Sequence, residues 1–327
     1  MKISNDTLKT LITGAARFVE EEGYLFPCRF TERQERYYSV HRPDFVIKTR
    51  ATSSVCLDVV TDSDELSFSL LAKQGSSRSF FYLDLFVDGV MMAHVGEKDT
   101  TRCEKTLRFD LPRGSHRVTL YLPQLFACGI KELCLGDGAS LVPYRREKRL
   151  LCLGDSITQG YDAYFPSSTY ANLLGARLNA EVHNLAIGAE VFRPDALDPR
   201  LPFAPDIITV AFGTNDWGAH GSAEEFAALA GEYYRRVAST YPNARIFAIT
   251  PIWRDDTDRT TKVGDFETAR RLVKEAASPL ENVTVIDGLG LIPHVTDIFS
   301  DSYLHPNDLG FHFYAEALYA AIAPHLD

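Results

Sequence analysis

The 327-residue chain has little of several features that mark particular classes of protein. Its 34 lysines and arginines are outnumbered by 44 acidic residues, which gives a net charge of −10. Proteins bind nucleic acids and anionic membranes through basic side chains, so we expect neither as a partner of this acidic chain. No apolar run approaches the ~20 residues that cross a bilayer, and the amino terminus lacks the apolar stretch of a signal peptide. The sequence therefore predicts a cytoplasmic protein.

Cofactor and disulfide signatures are also missing. The six cysteines form no Cys-x-x-Cys pair, and we interpret them as reduced thiols. Neither G-x-x-x-x-G-K-[ST] nor G-x-G-x-x-G is present, so no nucleotide cofactor is expected. The G-x-S-x-G elbow of α/β-hydrolases is absent as well.

One segment has the spacing of a metal site. Between His294 and His305, two histidines and two aspartates recur at helical intervals. Pro293 and Pro306 bracket this segment and favour a partly irregular structure. We therefore expect no metal and, taken with the missing motifs, no cofactor of any kind.

The first half of the chain changes its hydrophobic period near residue 23. Residues 1–23 predict a helix, with apolar side chains at helical spacing and Gly23 as its end. Residues 24–143 alternate with period two and contain turn signals, which predicts a jelly-roll-like antiparallel β-sandwich. Two hairpins are expected there, one turning at Asp88-Gly89 and one at residues 112–115.

The second half, residues 144–327, alternates short apolar strands with amphipathic helices. This pattern predicts a parallel sheet covered by helices on both faces, which is a three-layer α/β/α fold. The last helix is expected to turn Leu309, Phe313, Ala317 and Tyr319 towards the core. In such sheets ligands bind beyond the carboxyl ends of the strands, so the residues that follow each strand are the candidates for function.

Polar groups occupy those positions, and together they suit acyl transfer. Ser156 follows the strand "LLCL" and supplies a hydroxyl nucleophile, while His305, before the last helix, supplies a base. The backbone N–H of Ser156, those of Gly188 and Ala189, and the Asn215 side-chain amide are candidate donors to an oxyanion.

These blocks resemble the SGNH hydrolase superfamily, also called GDSL esterases and lipases. "GDSIT", "NLAIGA", "GTND" and "LHPN" appear in the order of that family's blocks between residues 150 and 310. The resemblance implies that Ser156 is the nucleophile, His305 the base and Asn215 an oxyanion donor. The first half resembles the β-sandwich that precedes the hydrolase domain in some carbohydrate-esterase-like members.

Two departures from the family pattern leave alternatives open. The second-block glycine usually lies five residues after the asparagine, whereas Gly188 lies four after Asn184 and the fifth residue is Ala189. Either backbone N–H can therefore be the donor.

The last block usually reads Asp-x-x-His, but Asp301 lies four residues before His305. We expect Asp301 to orient the imidazole. A Ser-His dyad oriented by Ser302 or by a backbone carbonyl is the alternative, and Asp297 and Asp308 are less favoured.

The resemblance implies a serine esterase that hydrolyses short-chain acyl esters, with acetyl esters of a carbohydrate as the expected substrates. Trp217, directly after the third block, is a candidate for substrate contact, and packing inside the fold is the equal alternative. An acyltransferase using the same site and an inert carbohydrate-binding protein are the alternatives. The partner is thus a small-molecule or carbohydrate ester, and self-association into a homo-oligomer is left open.

Overall fold

Three β-sheets form the framework of the structure, a computed structural model that describes residues 1–326. The strands are β1 (Ile12–Thr13), β2 (Arg17–Glu21), β3 (Tyr24–Cys28), β4 (Cys56–Thr61), β5 (Glu65–Gln74), β6 (Phe81–Val87), β7 (Val90–Glu97), β8 (Arg102–Asp110), β9 (His116–Tyr121), β10 (Phe126–Leu135), β11 (Leu141–Pro143), β12 (Lys148–Gly154), β13 (Ala180–Asn184), β14 (Ile207–Ala211), β15 (Arg245–Ile249) and β16 (Val283–Ile286). The helices are α1 (Asn5–Leu11), α2 (Glu32–His41), α3 (Val46–Thr49), α4 (Ser156–Gln159), α5 (Tyr170–Arg177), α6 (Asp216–Ala219), α7 (Ala223–Thr240), α8 (Phe266–Ala277) and α9 (Asp308–Ile322).

The amino-terminal half is built from two antiparallel sheets. One has the order β1-β4-β9-β6-β7, with β11 also paired to β4, and the other has the order β2-β3-β10-β5-β8. Alternate side chains of both sheets are buried in one shared apolar cluster. In β8, for example, Leu107 and Phe109 are buried while Arg108 is exposed, which is the pattern of a strand with one face on the core. The antiparallel sheets expected from the period-two pattern are confirmed.

The prediction of a helix over residues 1–23 is wrong beyond Leu11. Helix α1 ends there, and β2 and β3 then form a hairpin whose turn is Glu22-Gly23. Both turn residues have positive φ, 54° and 78°, which suits a two-residue hairpin turn. Gly14, at φ 82°, breaks the helical path earlier. A glycine suits the end of a helix and the turn of a hairpin equally well. Gly23 alone therefore does not distinguish the two structures.

The turn at residues 112–115 does not close a hairpin. Strand β8 pairs with β5 in one sheet, whereas β9 pairs with β4 and β6 in the other. The chain therefore crosses between the two sheets at this point. Alternation predicts correctly that both strands face the core, but it carries no information about which strand each one pairs with. The other expected hairpin, β6 with β7 around Asp88-Gly89, is confirmed.

The carboxyl-terminal half contains a five-stranded parallel sheet with the order β13-β12-β14-β15-β16. This is the flavodoxin-like order 2-1-3-4-5, so the mixed α/β fold and the parallel sheet are confirmed. Connections from β12 and β14 leave towards opposite faces, which opens a crevice at their carboxyl ends. The residues after β12 and β14 include Ser156 and Asn215, so both lie beside this crevice.

Helix α9 presents a different face to the core from the one expected. The structure buries Phe311, Tyr314 and Leu318, while Leu309 and Phe313 are 55% and 40% exposed. The apolar residues of this helix surround most of its circumference, so the periodicity alone did not select the buried stripe.

None of the six cysteines forms a disulfide. Within residues 1–326, no helix combines the length and the apolar character that spanning a bilayer requires.

A buried polar contact joins the two halves. His183 of β13 is 1% exposed, and its Nε2 donates to the backbone carbonyl of Arg29 at 2.8 Å. Burial lowers the pKa of His183 from 6.5 to about 4, because the charged imidazolium would lose its hydration there. The neutral ring is therefore the form that the folded protein contains near neutral pH.

We predict that His183 makes the protein sensitive to mild acid. Between pH 6.5 and 4 the unfolded chain protonates this imidazole and the folded chain does not, so stability falls as the pH is lowered through that range. The loss approaches roughly 3 kcal/mol, since one pKa unit corresponds to about 1.4 kcal/mol. Urea unfolding at several pH values measures it.

The variant His183→Gln should show a flatter pH dependence than the wild type, whereas the exposed His312→Gln should match the wild type. Parallel curves for His183→Gln and the wild type would contradict this assignment.

Candidate active site

Ser156 is the first residue of α4, directly after the sharp end of β12. Asp155 caps this helix, since its Oδ1 accepts from the N–H of Ile157 at 3.0 Å. Asp155 is almost fully buried, and the loss of hydration raises its pKa to about 7. Gly154 leaves space for Thr158, because a Cβ there would lie 2.1 Å from the Thr158 hydroxyl. The turn is thus tightly packed, and it holds Ser156 at the sheet edge with 5% of its surface exposed.

A continuous line of hydrogen bonds connects Ser156, His305 and Asp301. His305 Nε2 lies 2.9 Å from Ser156 Oγ, and His305 Nδ1 lies 2.6 Å from Asp301 Oδ2. A carboxylate accepts only, so Nδ1 carries the proton and Nε2 is free to accept from the hydroxyl. This tautomer is the one that a general base for Ser156 requires.

The turn from Asp301 to His305 absorbs the additional residue in the last block. Ser302 adopts φ 69°, and Asp301 Oδ1 then accepts from the N–H groups of Tyr303, Leu304 and His305 at 3.2, 2.8 and 3.0 Å. Partial burial alone would raise the pKa of Asp301, but the bonds from the His305 ring and these amides outweigh it and hold the pKa well below its usual range. Asp301 is therefore ionised wherever His305 can act as a base.

The other acids considered for this role have different partners. Asp308 accepts from the N–H groups of Tyr164 and Phe165 at 3.1 and 3.0 Å, and the Asp297 side chain is exposed. The structure therefore places Asp301, and neither of these residues, against the imidazole.

Tyr161 lies between the second and last blocks. Its ring stacks on His305, with centroids 5.6 Å apart, and a Cβ on Gly188 would lie 2.6 Å from its Cε2. Tyr161 is 5% exposed and also packs on the core of the β-sandwich. One buried ring therefore sets both the position of the imidazole and the course of the loop at Gly188.

The two candidate N–H groups of the second block are in different situations. The N–H of Gly188 donates to Gln159 Oε1 at 2.7 Å. Among residues 1–326, no acceptor engages the N–H of Ala189 or that of Ser156. Ala189 reaches its conformation at φ 68° despite its Cβ. Ala189 is therefore the better candidate donor, and Gly188 is held in place by Gln159.

Asn215 lies on a loop that is held in place by hydrogen bonds to the buried Asp216 carboxylate. The carboxylate of Asp216 is fully buried and accepts from the N–H groups of Gly213 and Phe192 at 3.0 and 2.9 Å. Asn215 Nδ2 donates one hydrogen to the carbonyl of Glu190 at 3.0 Å. Its second hydrogen remains available, and the second and third blocks are tied together through these bonds.

Comparison with known proteins agrees with this arrangement. Residues 152–312 match the sequence model of the GDSL-like lipase/acylhydrolase family, a range that includes all four blocks. The carboxyl-terminal half of this chain is therefore similar to that family. No curated protein sequence matches the chain significantly.

Several solved structures share the fold of the whole chain, including the β-sandwich that precedes the GDSL part. The salicylyl-acyltransferase SsfX3 of a tetracycline biosynthetic pathway superimposes with a TM-score of 0.85, at 23% identity, over 99% of this chain and 97% of its own. A family two carbohydrate esterase from Clostridium thermocellum, in complex with cellohexaose, gives 0.66 at 17% identity over 96% and 99%. An acetyl xylan esterase from Butyrivibrio proteoclasticus gives 0.62 at 16% identity over 100% and 98%.

Trp217 occupies a different place from the one expected for a substrate contact. Its side chain is 0% exposed, packs edge-to-face on Phe266, and donates from Nε1 to the carbonyl of Gly264 at 2.9 Å. A side chain without exposed surface has no face for a ligand. Trp217 therefore stabilises the loop of the third GDSL block from within the core.

Three potential metal-binding side chains meet at the site, namely Asp162, Asp301 and His305. Asp162 is already paired with the Arg78 guanidinium, through two bonds of 2.5 and 2.8 Å, and Nδ1 of His305 is bonded to Asp301. These partners fit a hydrogen-bonded triad and do not fit a set of free ligands. His294, considered above for a metal, donates instead to the carbonyl of Leu289 at 2.9 Å.

Sequence reasoning missed the residues that support the site. Gln159, Tyr161 and Asp162 lie only a few positions after the nucleophile, but a single sequence gives no reason to separate them from ordinary helix-end residues. Arg78 comes from the loop between β5 and β6 and reaches the site only through folding. Through this ion pair a loop of the β-sandwich contacts Asp162, whose Oδ2 lies 3.7 Å from His305 Nδ1.

We predict that Asp301→Asn lowers kcat for ester hydrolysis about 10³-fold or more, because an amide would favour the wrong tautomer of His305. Asp297→Asn, a matched change at an exposed acid in the same region, should keep the activity of the wild type. Steady-state kinetics with p-nitrophenyl acetate measure both variants. Near-normal activity of Asp301→Asn would show that the site operates as a Ser-His dyad.

Proposed function

We propose that this protein is a serine esterase that removes short acyl groups, acetyl foremost, from carbohydrate esters. The observation that carries the proposal is the unbroken hydrogen-bonded line from Asp301 through His305 to Ser156. The match of residues 152–312 to the GDSL-like lipase/acylhydrolase family supports the same chemistry.

In the proposed acylation step, His305 Nε2 takes the proton of the Ser156 hydroxyl as Oγ attacks the ester carbonyl. The imidazolium that forms is stabilised by Asp301, whose ionised state is maintained by three backbone amides. The same proton then passes from Nε2 to the alcohol oxygen, and the carbon–oxygen bond to the alcohol breaks. Ser156 is left as an acyl ester.

The tetrahedral oxyanion would be received by the N–H groups of Ser156 and Ala189 and by the free hydrogen of the Asn215 amide. Each such donor is worth about 10²–10³ in rate in a well-studied protease. Water then attacks the acyl ester while His305 Nε2 takes its proton, and that proton passes to Ser156 Oγ as the bond between the acyl carbon and Oγ breaks and the acid product leaves. Both half-reactions use the same three side chains.

The carbohydrate assignment rests on a broader resemblance. The carbohydrate esterases named above share the fold of the whole chain, with a β-sandwich before the GDSL part. Their identity to this chain is below 20%, so they support the class of substrate and leave the sugar and the acyl group to experiment.

Transfer of the acyl group to an alcohol acceptor is the second candidate. It is favoured by the similarity to the salicylyl-acyltransferase, which has a TM-score of 0.85 over nearly the full length of both chains. Chemically the two reactions differ only in whether water or an alcohol attacks the acyl-enzyme.

We predict that Ser156→Ala abolishes hydrolysis of p-nitrophenyl acetate, with a loss of at least about 10³-fold, because the nucleophile is removed. Its thermal unfolding should resemble that of the wild type. Ser39→Ala, at an exposed serine of α2, is the matched control and should remain fully active. A serine-reactive phosphonate should label the wild type and not Ser156→Ala. Full activity of Ser156→Ala would refute the proposal, and the absence of labelling in the wild type would favour an inert binding protein.

A second experiment separates hydrolysis from transfer. An acetylated sugar is supplied together with a non-acetylated sugar acceptor, and the products are identified by mass spectrometry. We expect free acetate to be the main product. Predominant acetylation of the acceptor would replace the esterase with an acyltransferase.

A further inference from the structure

The second GDSL block is held by cations that come from the amino-terminal half of the chain. Lys48 of α3 donates from Nζ to the backbone carbonyl of Gly188 at 2.8 Å. The ammonium group also lies 4.3 Å from the centre of the Phe45 ring. Among residues 1–326, no carboxylate comes within 4.0 Å of Lys48 Nζ, so its charge is directed at this carbonyl and at the aromatic face.

The carbonyl of Gly188 and the N–H of Ala189 belong to the same peptide group. A trans peptide is planar, so its N–H and C=O point in opposite directions. When Lys48 holds the oxygen, the hydrogen of Ala189 is therefore turned away from Lys48. This N–H is the one that no acceptor within the described residues engages.

The positive charge of Lys48 beside the Gly188 carbonyl oxygen also makes the Ala189 N–H a stronger hydrogen-bond donor. It draws electron density towards the carbonyl and leaves the amide hydrogen more positive. Hydrogen bonds linked in this way strengthen one another by about 10–30% each. The effect is larger at a half-buried site, where water screens the charge less than in bulk solvent.

Other protein groups hold the peptides that flank this one. Arg29 is 0% exposed, and its guanidinium donates to the carbonyls of Asn184 and Ala186, the latter at 3.1 Å. The N–H of Gly188 is held by Gln159. The peptides before the one that Lys48 contacts are thus anchored to protein atoms, and after it the N–H of Glu190 donates to the carbonyl of Ile187 at 3.0 Å.

We propose that Lys48 is a positioning residue of the oxyanion hole, which orients and polarises the Gly188–Ala189 peptide so that its N–H stabilises the transition state. The inference rests on the proposed function, because it assigns Ala189 to the oxyanion of that reaction. Lys48 touches neither the substrate nor the reacting atoms and acts only through the peptide.

The test compares Lys48→Met, which keeps most of the side-chain length without the charge, with Lys48→Arg, which keeps the charge. Lys131→Met is the matched control, since Lys131 lies over the Tyr24 ring at 4.8 Å in the same half of the chain. For Lys48→Met we expect kcat to fall about tenfold, less than for loss of a whole donor. KM should change less than about twofold, since the ground-state ester is bound elsewhere. Lys48→Arg should recover most of kcat, and Lys131→Met should match the wild type.

A second readout reports on the oxyanion itself. A trifluoromethyl ketone forms a tetrahedral adduct with a catalytic serine, and its oxyanion occupies the same donors. Its affinity for Lys48→Met should fall by the same factor as kcat/KM. In an amide-resolved NMR spectrum, the Ala189 proton should move upfield in Lys48→Met and stay in place in Lys131→Met.

The outcomes separate the two proposals. A wild type that hydrolyses esters, together with a Lys48→Met variant of unchanged kcat, inhibitor affinity and Ala189 resonance, would overturn the role of Lys48 alone. A fall in thermal stability with unchanged kcat would do the same, because it would reveal a purely structural contact. A wild type without esterase activity would count against the proposed function, and the Ala189 resonance would then decide whether Lys48 polarises the peptide.

Discussion

The constraint on which the site depends is the divergence of the chain at the carboxyl ends of β12 and β14. These strands are neighbours in the sheet although they are not consecutive in the parallel series, so the chain leaves them in opposite directions. In the resulting crevice, backbone from the ends of two strands can approach a ligand. Ser156 and Asn215 lie on the two sides of this crevice, and β13 adds the loop with Ala189 from the adjacent position.

A crevice alone does not fix a reactive geometry, and the structure supplies that precision through buried polar contacts. Asp155 shapes the turn at the nucleophile, Asp216 ties the second block to the third, and Arg29 ties the second block to the amino-terminal half. Each contact gives a buried polar group its hydrogen-bond partners. Without them, burial of that group would cost several kcal/mol of folding free energy. The site is thus held by contacts with both halves of the chain. From the amino-terminal half, Arg78 binds Asp162 beside the imidazole, and Arg29 binds the second block.

Much of this could be predicted from the sequence where chemistry and local pattern coincide. The parallel sheet follows from the alternation of apolar strands and helices, and the motifs at the strand ends indicated which side chains the fold would bring together. The distance between Asp301 and His305 was harder to foresee, because it depends on Ser302 entering the left-handed region. The amino-terminal helix was overestimated because Gly23 suits a helix end and a hairpin turn equally well. Pairing between strands and contacts such as Arg78 with Asp162 join positions far apart in the chain, and period and propensity carry no signal for them.

The close approach of Gly188 to Tyr161 has a consequence for how this loop can vary. Any larger residue at position 188 would meet the aromatic ring, and that ring already rests against the imidazole. A methyl group added to the backbone there would press on the His305 imidazole through a single intervening side chain. At position 189 a methyl group is present and tolerated. In this protein the glycine of the second block thus leaves the room that the Tyr161 ring fills, while, of the two N–H groups, the one unoccupied among the described residues is that of its neighbour, Ala189.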